Sequence, residues 1–420
     1  MRIIHVTNYF PGTHTHVGGA EQACFRTAML QREHGCSVCI VTTRPVPDAA
    51  NDLPCLSVPI MEDYLPAPVR TYVEAAKWYS AQYDPLALRS FGKILKRVPA
   101  EFVHFHNCQF LTLSLISAAK QAGRKVIVSF YDYWLFCPNV MLLDGDKRFC
   151  ARAHGPWCLD CLPKTFATFQ KLLLSIRRRV IDRYLKLVDG FHVLSEHSRS
   201  VVHGYGIDKS KIHVAPLTLP LEFREVRASP QPIDPNMILF AGWRNERKGL
   251  HRLLEAMPHV LKEHPTAHLV AVGGTVRFGE EYEKLLAQLI EAGGLRDRVT
   301  FAGHVQPRDM QAYIERTAVV VIPEQYENMS PLLMIEAMSL AKPVVVSNVG
   351  GIPEFIEHSV NGWLADRLDA ADFARWIIRT LKNPHESSEL GRRARESILA
   401  KCADEKVWEK TLSMYQSLRA

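Results

Sequence analysis

The stretch VVVIPEQYENMSPLLMIEAMSLAKPVVVSNVGGIPEFIEHSVNG occupies residues 319–362. It begins with an apolar strand that ends at Pro323, followed by a polar loop and by a helix that carries Glu336. A second apolar strand, residues 343–347, then leads into a turn with two consecutive glycines. Units of strand, loop, helix and strand place ligand-binding groups at the carboxyl ends of parallel strands. The stretch therefore predicts an α/β domain with a ligand site after its strands.

The same alternation of strands and helices extends over the whole chain, and it is typical of doubly wound parallel sheets. The predicted strands cover residues 2–7, 38–42, 102–106, 125–129 and 190–194 in a first series and 237–241, 268–272, 299–302, 319–322 and 343–346 in a second. A proline-rich segment, residues 228–235, lies between the two series and indicates a linker. Because 420 residues exceed the size that one core usually supports, two domains are expected.

These patterns predict a first domain at residues 1–225, a second at 236–400 and a final helix at 401–420 that can cross back to the first domain. The first domain carries insertions at about 62–97 and 137–186, both rich in basic and aromatic residues. A basic amphipathic helix can lie on an anionic membrane surface, and it can equally be the solvated face of a packing helix. Both explanations stay open at this point.

Composition narrows the class of protein. The chain is 47% hydrophobic and 23% charged, which is ordinary for a soluble globular protein. No apolar run approaches the length of a membrane-spanning helix, and the first residues resemble a strand more than a signal peptide. The net charge of +7 is modest: it suits anionic surfaces or phosphorylated substrates, or it serves solubility alone. We expect a cytoplasmic protein without a nucleic-acid partner, with peripheral association at the inner membrane face as the alternative.

The loop and helix after residue 322 resemble the donor-sugar motif of the family 4 glycosyltransferases, retaining enzymes of the GT-B fold. Eight residues separate Glu327 from Glu336 here, one more than in the family, so that Asn328 stands at the family's distance from Glu336. The resemblance implies an α/β fold of two Rossmann-like, doubly wound parallel-sheet domains that face a central cleft. In this stretch it assigns donor binding to Asn328, Met329, Ser330, Glu336 and Gly351 and a catalytic role to Glu327, provided that the loop absorbs the extra residue.

Two glycine-containing loops also match the family. Gly18 and Gly19 belong to a Gly-Gly-x-Glu loop that the resemblance places over the donor diphosphate and the acceptor. The segment after residue 241 contains Gly242, Arg244, Arg247 and Lys248, but Trp243 stands where the family has an arginine. Cations at the end of a strand suit a diphosphate. Lys248 therefore supplies one cation, and either Arg244, which we favour, or Arg247 supplies the second.

Two segments of the first domain carry further candidates for catalysis. Strand period puts His104 and His106 on one face, and the resemblance assigns His106 to the active site, where it orients the acceptor or donates a hydrogen bond. Asp132 follows Tyr131, which stands where many relatives have a histidine. Asp132 either accepts a hydrogen bond from the acceptor hydroxyl or caps a turn.

Four cysteines, Cys137, Cys150, Cys158 and Cys161, fall within 25 residues and end in a Cys-x-x-Cys pair. Two-residue spacing lets two thiolates bind one metal, and two more thiolates complete a tetrahedral site. The segment is loop-like with little core of its own, so we expect a structural zinc ion. An iron–sulfur cluster has the same ligands and is the competitor, and free or disulfide-paired cysteines are the remaining alternative.

The sequence thus predicts a retaining glycosyltransferase that moves a sugar from a UDP or GDP sugar to a hydroxyl of a glycan or lipid-linked glycan. No catalytic metal is expected, because no carboxylate pair stands where it would bridge phosphates. Two other classes stay open. A sugar-nucleotide epimerase of the same fold would bind the donor and need no acceptor, and a non-catalytic relative would bind the donor without transfer.

Overall fold

The computed structural model describes residues 1–14, 17–43, 53–80, 83–164, 166–219, 223, 232–276 and 279–419, without the side chains of residues 307 and 308. They form two compact units. The first unit contains Met1–Thr218 and Asp404–Ala420, and the second contains Leu219–Ala403. The first unit thus ends before the predicted boundary at residue 225, and residues 228–231 of the predicted linker lie outside the described residues.

The first unit holds a seven-stranded sheet in which the paired strands run parallel, in the order β3-β2-β1-β4-β5-β6-β7. Its strands are β1 (Arg2–Thr7), β2 (Ser37–Thr42), β3 (Cys55–Ser57), β4 (Phe102–Asn107), β5 (Lys125–Ser129), β6 (Gly190–Val193) and β7 (Ile212–Val214). Its first six helices are α1 (Gly19–Glu33), α2 (Ala67–Ser80), α3 (Pro85–Arg97), α4 (Ser114–Gln121), α5 (Ala167–Leu185) and α6 (Glu196–Gly204). The short edge strands β3 and β7 are absent from the predicted set.

The second unit holds a six-stranded parallel sheet in the order β10-β9-β8-β11-β12-β13. Its strands are β8 (Met237–Ala241), β9 (His268–Val272), β10 (Val299–Gly303), β11 (Val319–Ile322), β12 (Val344–Ser347) and β13 (Trp363–Ala365). Its helices are α7 (Leu250–Glu263), α8 (Glu280–Ala292), α9 (Pro307–Arg316), α10 (Leu332–Ser339), α11 (Ala370–Lys382) and α12 (Pro384–Cys402). Every residue of β11 and β12 is buried, which explains their unbroken apolar runs.

Each sheet has one point at which the strand order reverses. In the first unit this switch point lies between β1 and β4, and in the second it lies between β8 and β11. The loops after these strands diverge to opposite faces of the sheet and leave a crevice that ligands use in open α/β sheets. The two switch points are therefore where functional side chains are expected.

The last helix, α13 (Asp404–Ser417), belongs to the first unit. The ring of Tyr415 packs edge-on against Phe102 of β4, with ring centroids 4.8 Å apart, and Trp408 stacks on His34 at 4.4 Å. The chain thus returns from the second unit and covers strands of the first.

The two predicted insertions pack on each other. Tyr72 of α2 contacts Phe166, with ring centroids 4.5 Å apart, beside the start of α5. The first insertion also contains a buried ion cluster in which Lys77 donates to the carboxylates of Glu62 and Asp84. Asp84 in addition caps α3 by accepting from the amides of Leu86 and Ala87. The insertions therefore form an ordered helical layer.

Candidate functional site

At the switch point of the first unit, hydrogen bonds join the loops after β1 and β4. The Asn8 amide donates to Asn107 Oδ1 at 2.6 Å, and the Asn107 amide donates to Glu21 Oε1 at 2.9 Å. The other oxygen of Glu21 accepts the Gly18 amide at 3.0 Å. Burial raises the pKa of Glu21. The Gly-Gly-x-Glu loop is thus joined to the end of β4.

His106 lies beside this network and lines a pocket with Asn107, Gln109, Tyr131 and Asp132. Its Nδ1 is 2.8 Å from the Tyr131 hydroxyl, and the two rings stack. Burial, followed by the nearby histidines, lowers the pKa of His106 well below its usual value. A neutral imidazole with both nitrogens engaged is suited to orienting a hydroxyl rather than to storing a proton.

The hydrogen bonds of His106 continue through the sheet to α13. Each step between neighbouring polar atoms measures 2.7–3.1 Å. In order, the chain comprises Tyr131, His106, His5, Gln31, Tyr415, His104, Ser129 and His192.

The Gln31 amide sets the direction of these bonds. Its carbonyl oxygen accepts from His5 Nε2, so in a neutral ring His5 Nδ1 accepts from His106 Nε2, and His106 Nδ1 then accepts from the Tyr131 hydroxyl. The tautomer of His106 follows from a glutamine that it does not touch. The ligand atoms of His5, His104 and His106 all lie within 4.8 Å of one another, but every ring nitrogen of the three has a hydrogen-bond partner. The three rings thus form one buried hydrogen-bonded cluster.

Asp132 lines the same pocket, and its Oδ1 accepts the Trp134 amide at 2.9 Å. The turn-capping role is therefore present. The side chain is only partly buried and its carboxylate borders the pocket, so capping does not remove it from reach of a ligand.

At the switch point of the second unit, Lys248 Nζ lies 2.6 Å from Glu324 Oε1. Burial by itself lowers the pKa of Lys248, but the Glu324 carboxylate and Tyr326 outweigh it and raise the pKa above the usual value. Glu324 is 2% exposed, and its second oxygen has no hydrogen-bond partner among the described residues. Glu324 is absent from the residues predicted above, although it directly follows the strand end at Pro323.

The two candidate arginines differ in their surroundings. Arg244 Nε donates to Glu283 at 2.9 Å and its Nη1 donates to the Gly273 carbonyl at 3.0 Å, so its charge is already paired. Arg247 rests over the ring of Tyr326 at 5.9 Å, and no described carboxylate forms an ion pair with it. Arg247 is therefore the more available cation of the two.

The loop after β11 holds most of the other predicted donor residues. The backbone amide of Asn328 donates to the Tyr326 carbonyl at 2.7 Å, which makes a three-residue turn centred on Glu327. This turn shortens the distance that the loop spans. Asn328 Oδ1 accepts the Ser330 amide at 3.1 Å, and the buried Ser330 hydroxyl has no partner among the described residues. Met329 is buried, and Glu336 is partly exposed in the second turn of α10.

Two glycines hold the loops of this site at close approach. A Cβ on Gly249 would lie 1.7 Å from the Pro323 carbonyl oxygen, and one on Gly350 would lie 2.2 Å from that of Asn328. Both glycines have positive φ, of 72° and 56°. The Gly351 amide donates to the same Asn328 carbonyl at 2.8 Å. Only glycine permits these contacts, which bring the loops after β8 and β12 against the loop after β11. Gly242 follows β8, and its amide donates to the Val272 carbonyl of β9 at 2.9 Å.

Two family models together match most of the chain. One, described as glycosyl transferases group 1, matches residues 222–397, and the other, glycosyltransferase family 4, matches residues 17–223. The chain belongs to glycosyltransferase family 4. This glycosyltransferase is 30% identical over 185 residues to spore coat protein SA of Bacillus subtilis, covering 44% of this chain and 49% of that protein. The chain spans about half the length of the curated relatives it matches.

Solved structures confirm the GT-B fold expected for this glycosyltransferase. The structure of Anabaena HepE in complex with UDP-glucose has a TM-score of 0.70 at 16% identity, over 100% of this chain and 99% of that one. Sucrose-phosphate synthase from Thermosynechococcus elongatus has a TM-score of 0.73 at 18% identity, over 99% and 98%. At these identities the likeness establishes the fold alone. Among the described residues, no helix is both long and apolar enough to cross a membrane.

Proposed function

We propose that this glycosyltransferase transfers a sugar from a nucleoside diphosphate sugar to a hydroxyl of a glycan or lipid-linked glycan, with retention of anomeric configuration. The carrying observation is the pairing of Lys248 with the buried Glu324 at the switch point of the second unit. A partly exposed cation supported by a buried carboxylate is a fixed positive charge for a diphosphate. HepE shares the fold and is in complex with UDP-glucose, which supports UDP over GDP as the nucleotide of the donor.

In this proposal Lys248 and Arg247 bind the diphosphate. Arg244 serves the site through structure, because its Nε and its Nη1 both donate within the second unit, to Glu283 and to the Gly273 carbonyl. Lys248 Nζ donates to Glu324 alone among the described acceptors, and Arg247 rests over Tyr326. Charge develops on the departing phosphate, so cations aimed there stabilise the transition state more than the ground state. The phosphate oxygen that leaves takes the acceptor proton on the same face of the sugar.

The remaining donor contacts come from the loops after β11 and β12. The Glu327 and Asn328 side chains bind sugar hydroxyls, and the Ser330 hydroxyl offers a buried polar group without a described partner. Glu336 binds the ribose. Amides of Met329 and Gly350 complete the contacts with the donor, whereas the Gly351 amide donates to the Asn328 carbonyl and supports the loop.

The first unit supplies the acceptor side. His106 Nε2 and Nδ1 are both engaged, so His106 orients the neighbouring Tyr131 instead of acting as a base. The Asp132 carboxylate accepts a hydrogen bond from the acceptor hydroxyl.

A panel of nucleotide sugars tests this proposal. Thermal shift should show stabilisation by one nucleoside diphosphate, and released nucleotide should accumulate with its sugar only when a glycan acceptor is present. Turnover without any acceptor would indicate an epimerase, and binding without turnover a non-catalytic protein. Absence of stabilisation by every nucleoside diphosphate would contradict the donor assignment itself.

We further propose that the insertion layer touches an anionic membrane, where lipid-linked acceptors reside. Along α5 the exposed face carries Lys171, Leu172, Arg179 and Arg183. The first insertion exposes the aromatic side chains of Tyr64, Tyr72 and Tyr83, and the short 3₁₀ helix Gly155–Cys161, before α5, exposes that of Trp157. Cationic and aromatic groups together suit the headgroup region. Sedimentation with vesicles of anionic lipid should exceed that with neutral lipid and fall with salt, and equal recovery in both would contradict the membrane role.

A further inference from the structure

We propose that Cys137, Cys150, Cys158 and Cys161 bind one structural zinc ion in the second insertion. The metal content can be measured without any assay of the proposed transferase activity, so failure of one proposal is distinguishable from failure of the other. None of the four thiols forms a disulfide, and all four are partly exposed.

The backbone presents the four thiols from two structured supports. Cys137 lies at a turn, where its amide donates to Tyr133 and its carbonyl accepts from Val140. Cys150 follows a small hairpin closed by an antiparallel bridge between Leu143 and Phe149. Turns of this kind let thiols approach a common point from one side.

The second support is a short 3₁₀ helix, Gly155–Cys161. Residues three apart in a 3₁₀ helix eclipse one another, so Cys158 and Cys161 project from the same side. Leu159 and Leu162 of this segment pack with Leu174 of α5, which anchors the helix while Cys158 stays at the edge of the cluster.

The four thiols are mutual neighbours. Each of the four lies within electrostatic range of the other three, so the four side chains share one region. Among the described residues, the group whose ligand atoms all lie within 4.8 Å of one another consists of His5, His104 and His106. The four sulfurs do not meet that distance, so they do not stand at ligand spacing. The proposal therefore requires the four side chains to change rotamer when the metal binds.

Backbone strain in the same segment points to an external constraint. Val140, Leu142 and Lys147 all have positive φ, of 68°, 54° and 62°. Left-handed backbone is unfavourable for non-glycine residues, most of all for a β-branched valine, and it persists where the surroundings over-determine it. In the proposed site, a metal that joins the two supports would hold this backbone in place.

A buried cation provides the matching charge. Four thiolates and one divalent ion carry two net negative charges. Arg177 of α5 is 4% exposed, interacts with Cys137 and Cys158, and its Nε has no hydrogen-bond partner among the described residues. Its two terminal nitrogens donate to the carbonyls of Trp78 and Trp134. A guanidinium fixed in this way stabilises an anionic metal centre. Partly exposed thiols favour zinc over an iron–sulfur cluster, which is more sensitive to oxidation.

Elemental analysis of the purified full chain should find about one zinc per chain and no iron. Cys161→Ser should lose the zinc, whereas Cys55→Ser, which removes a partly exposed thiol outside the insertion, should retain it. If Cys161→Ser fails to fold, exchange of the wild-type metal for Co²⁺ gives a second measurement, because tetrahedral thiolate coordination produces intense charge-transfer absorption. Iron with acid-labile sulfide, absence of both metals, or zinc retained in Cys161→Ser would each overturn the proposal.

Discussion

Lys248 Nζ lies 2.6 Å from Glu324 Oε1, and the two residues follow neighbouring strands, β8 and β11, at the point where the strand order of the second sheet reverses. The bond holds a cation near the turns at Gly249 and Gly350 and near the amino-terminal ends of α7 and α10. Because one oxygen of Glu324 stays buried without a described partner, the pair is also sensitive to loss of either member.

Lys248→Ala should therefore lower kcat/KM for the nucleotide sugar by about 100-fold or more, since a fixed charge aimed at the leaving diphosphate is removed. Lys248→Arg should restore part of the rate. The matched control is Lys262→Ala, an exposed lysine of α7, which should leave turnover and nucleotide affinity unchanged. Steady-state kinetics with isothermal titration of the nucleoside diphosphate separates the two effects, and unaltered affinity in Lys248→Ala would place the diphosphate elsewhere.

The two arginines of the same loop should behave differently. Arg247→Ala should weaken nucleotide binding about tenfold with little change in stability, because no described carboxylate pairs with it. Arg244→Ala should instead lower the melting temperature, since Glu283 and the Gly273 carbonyl lose their donor. Calorimetric titration and thermal unfolding measured on both variants test the distinction. The opposite pattern would assign the diphosphate to Arg244.

Tyr415→Phe should disturb His106 from a distance. The hydroxyl accepts from Gln31 and contacts His104, so its removal frees Gln31 to reorient and with it the tautomer of His106. We expect kcat to fall while KM for the donor holds, together with a loss of about 1–3 kcal/mol in unfolding free energy. Tyr282→Phe removes a comparable hydroxyl, bonded to His251, and should affect stability alone. If Tyr415→Phe and Tyr282→Phe changed kcat equally, Tyr415 would have a structural role only.

Stability should decrease with acid because of the buried histidines. Burial lowers the pKa of His5 and of His192 from 6.5 to about 4. The unfolded chain binds these protons below about pH 6.5, whereas the folded chain binds them only near pH 4. Unfolding free energy should therefore be constant above pH 6.5 and fall between pH 6.5 and 4, by up to about 1.4 kcal/mol per pH unit for each histidine.

Denaturant titrations at several pH values measure this slope. His192→Gln should flatten it, whereas replacement of the exposed His385 by glutamine should not. A stability that stays constant down to pH 4.5 would show that the buried histidines are protonated in the native state.

Gly350→Ala should damage both stability and donor binding, because the new Cβ would meet the Asn328 carbonyl oxygen at 2.2 Å. Gly294 also has positive φ but has nothing within 4 Å, so Gly294→Ala measures the backbone strain alone, about 1–2 kcal/mol. Gly350→Ala should exceed that cost and raise KM for the donor. Equal costs with unchanged KM would mean that the turn does not support the loop at Asn328.

The amino-acid sequence by itself determined the fold class and the family. Buried parallel strands such as Val319–Ile322 must be apolar along their whole length. Close contacts between loops require glycine at positions such as Gly350. Both features can therefore be read from the sequence. Tertiary structure alone decided which polar atoms meet. Glu283 is 39 residues from Arg244 and Tyr415 is 311 from His104, and such distant pairs form only because the sheet order brings their strands and helices together.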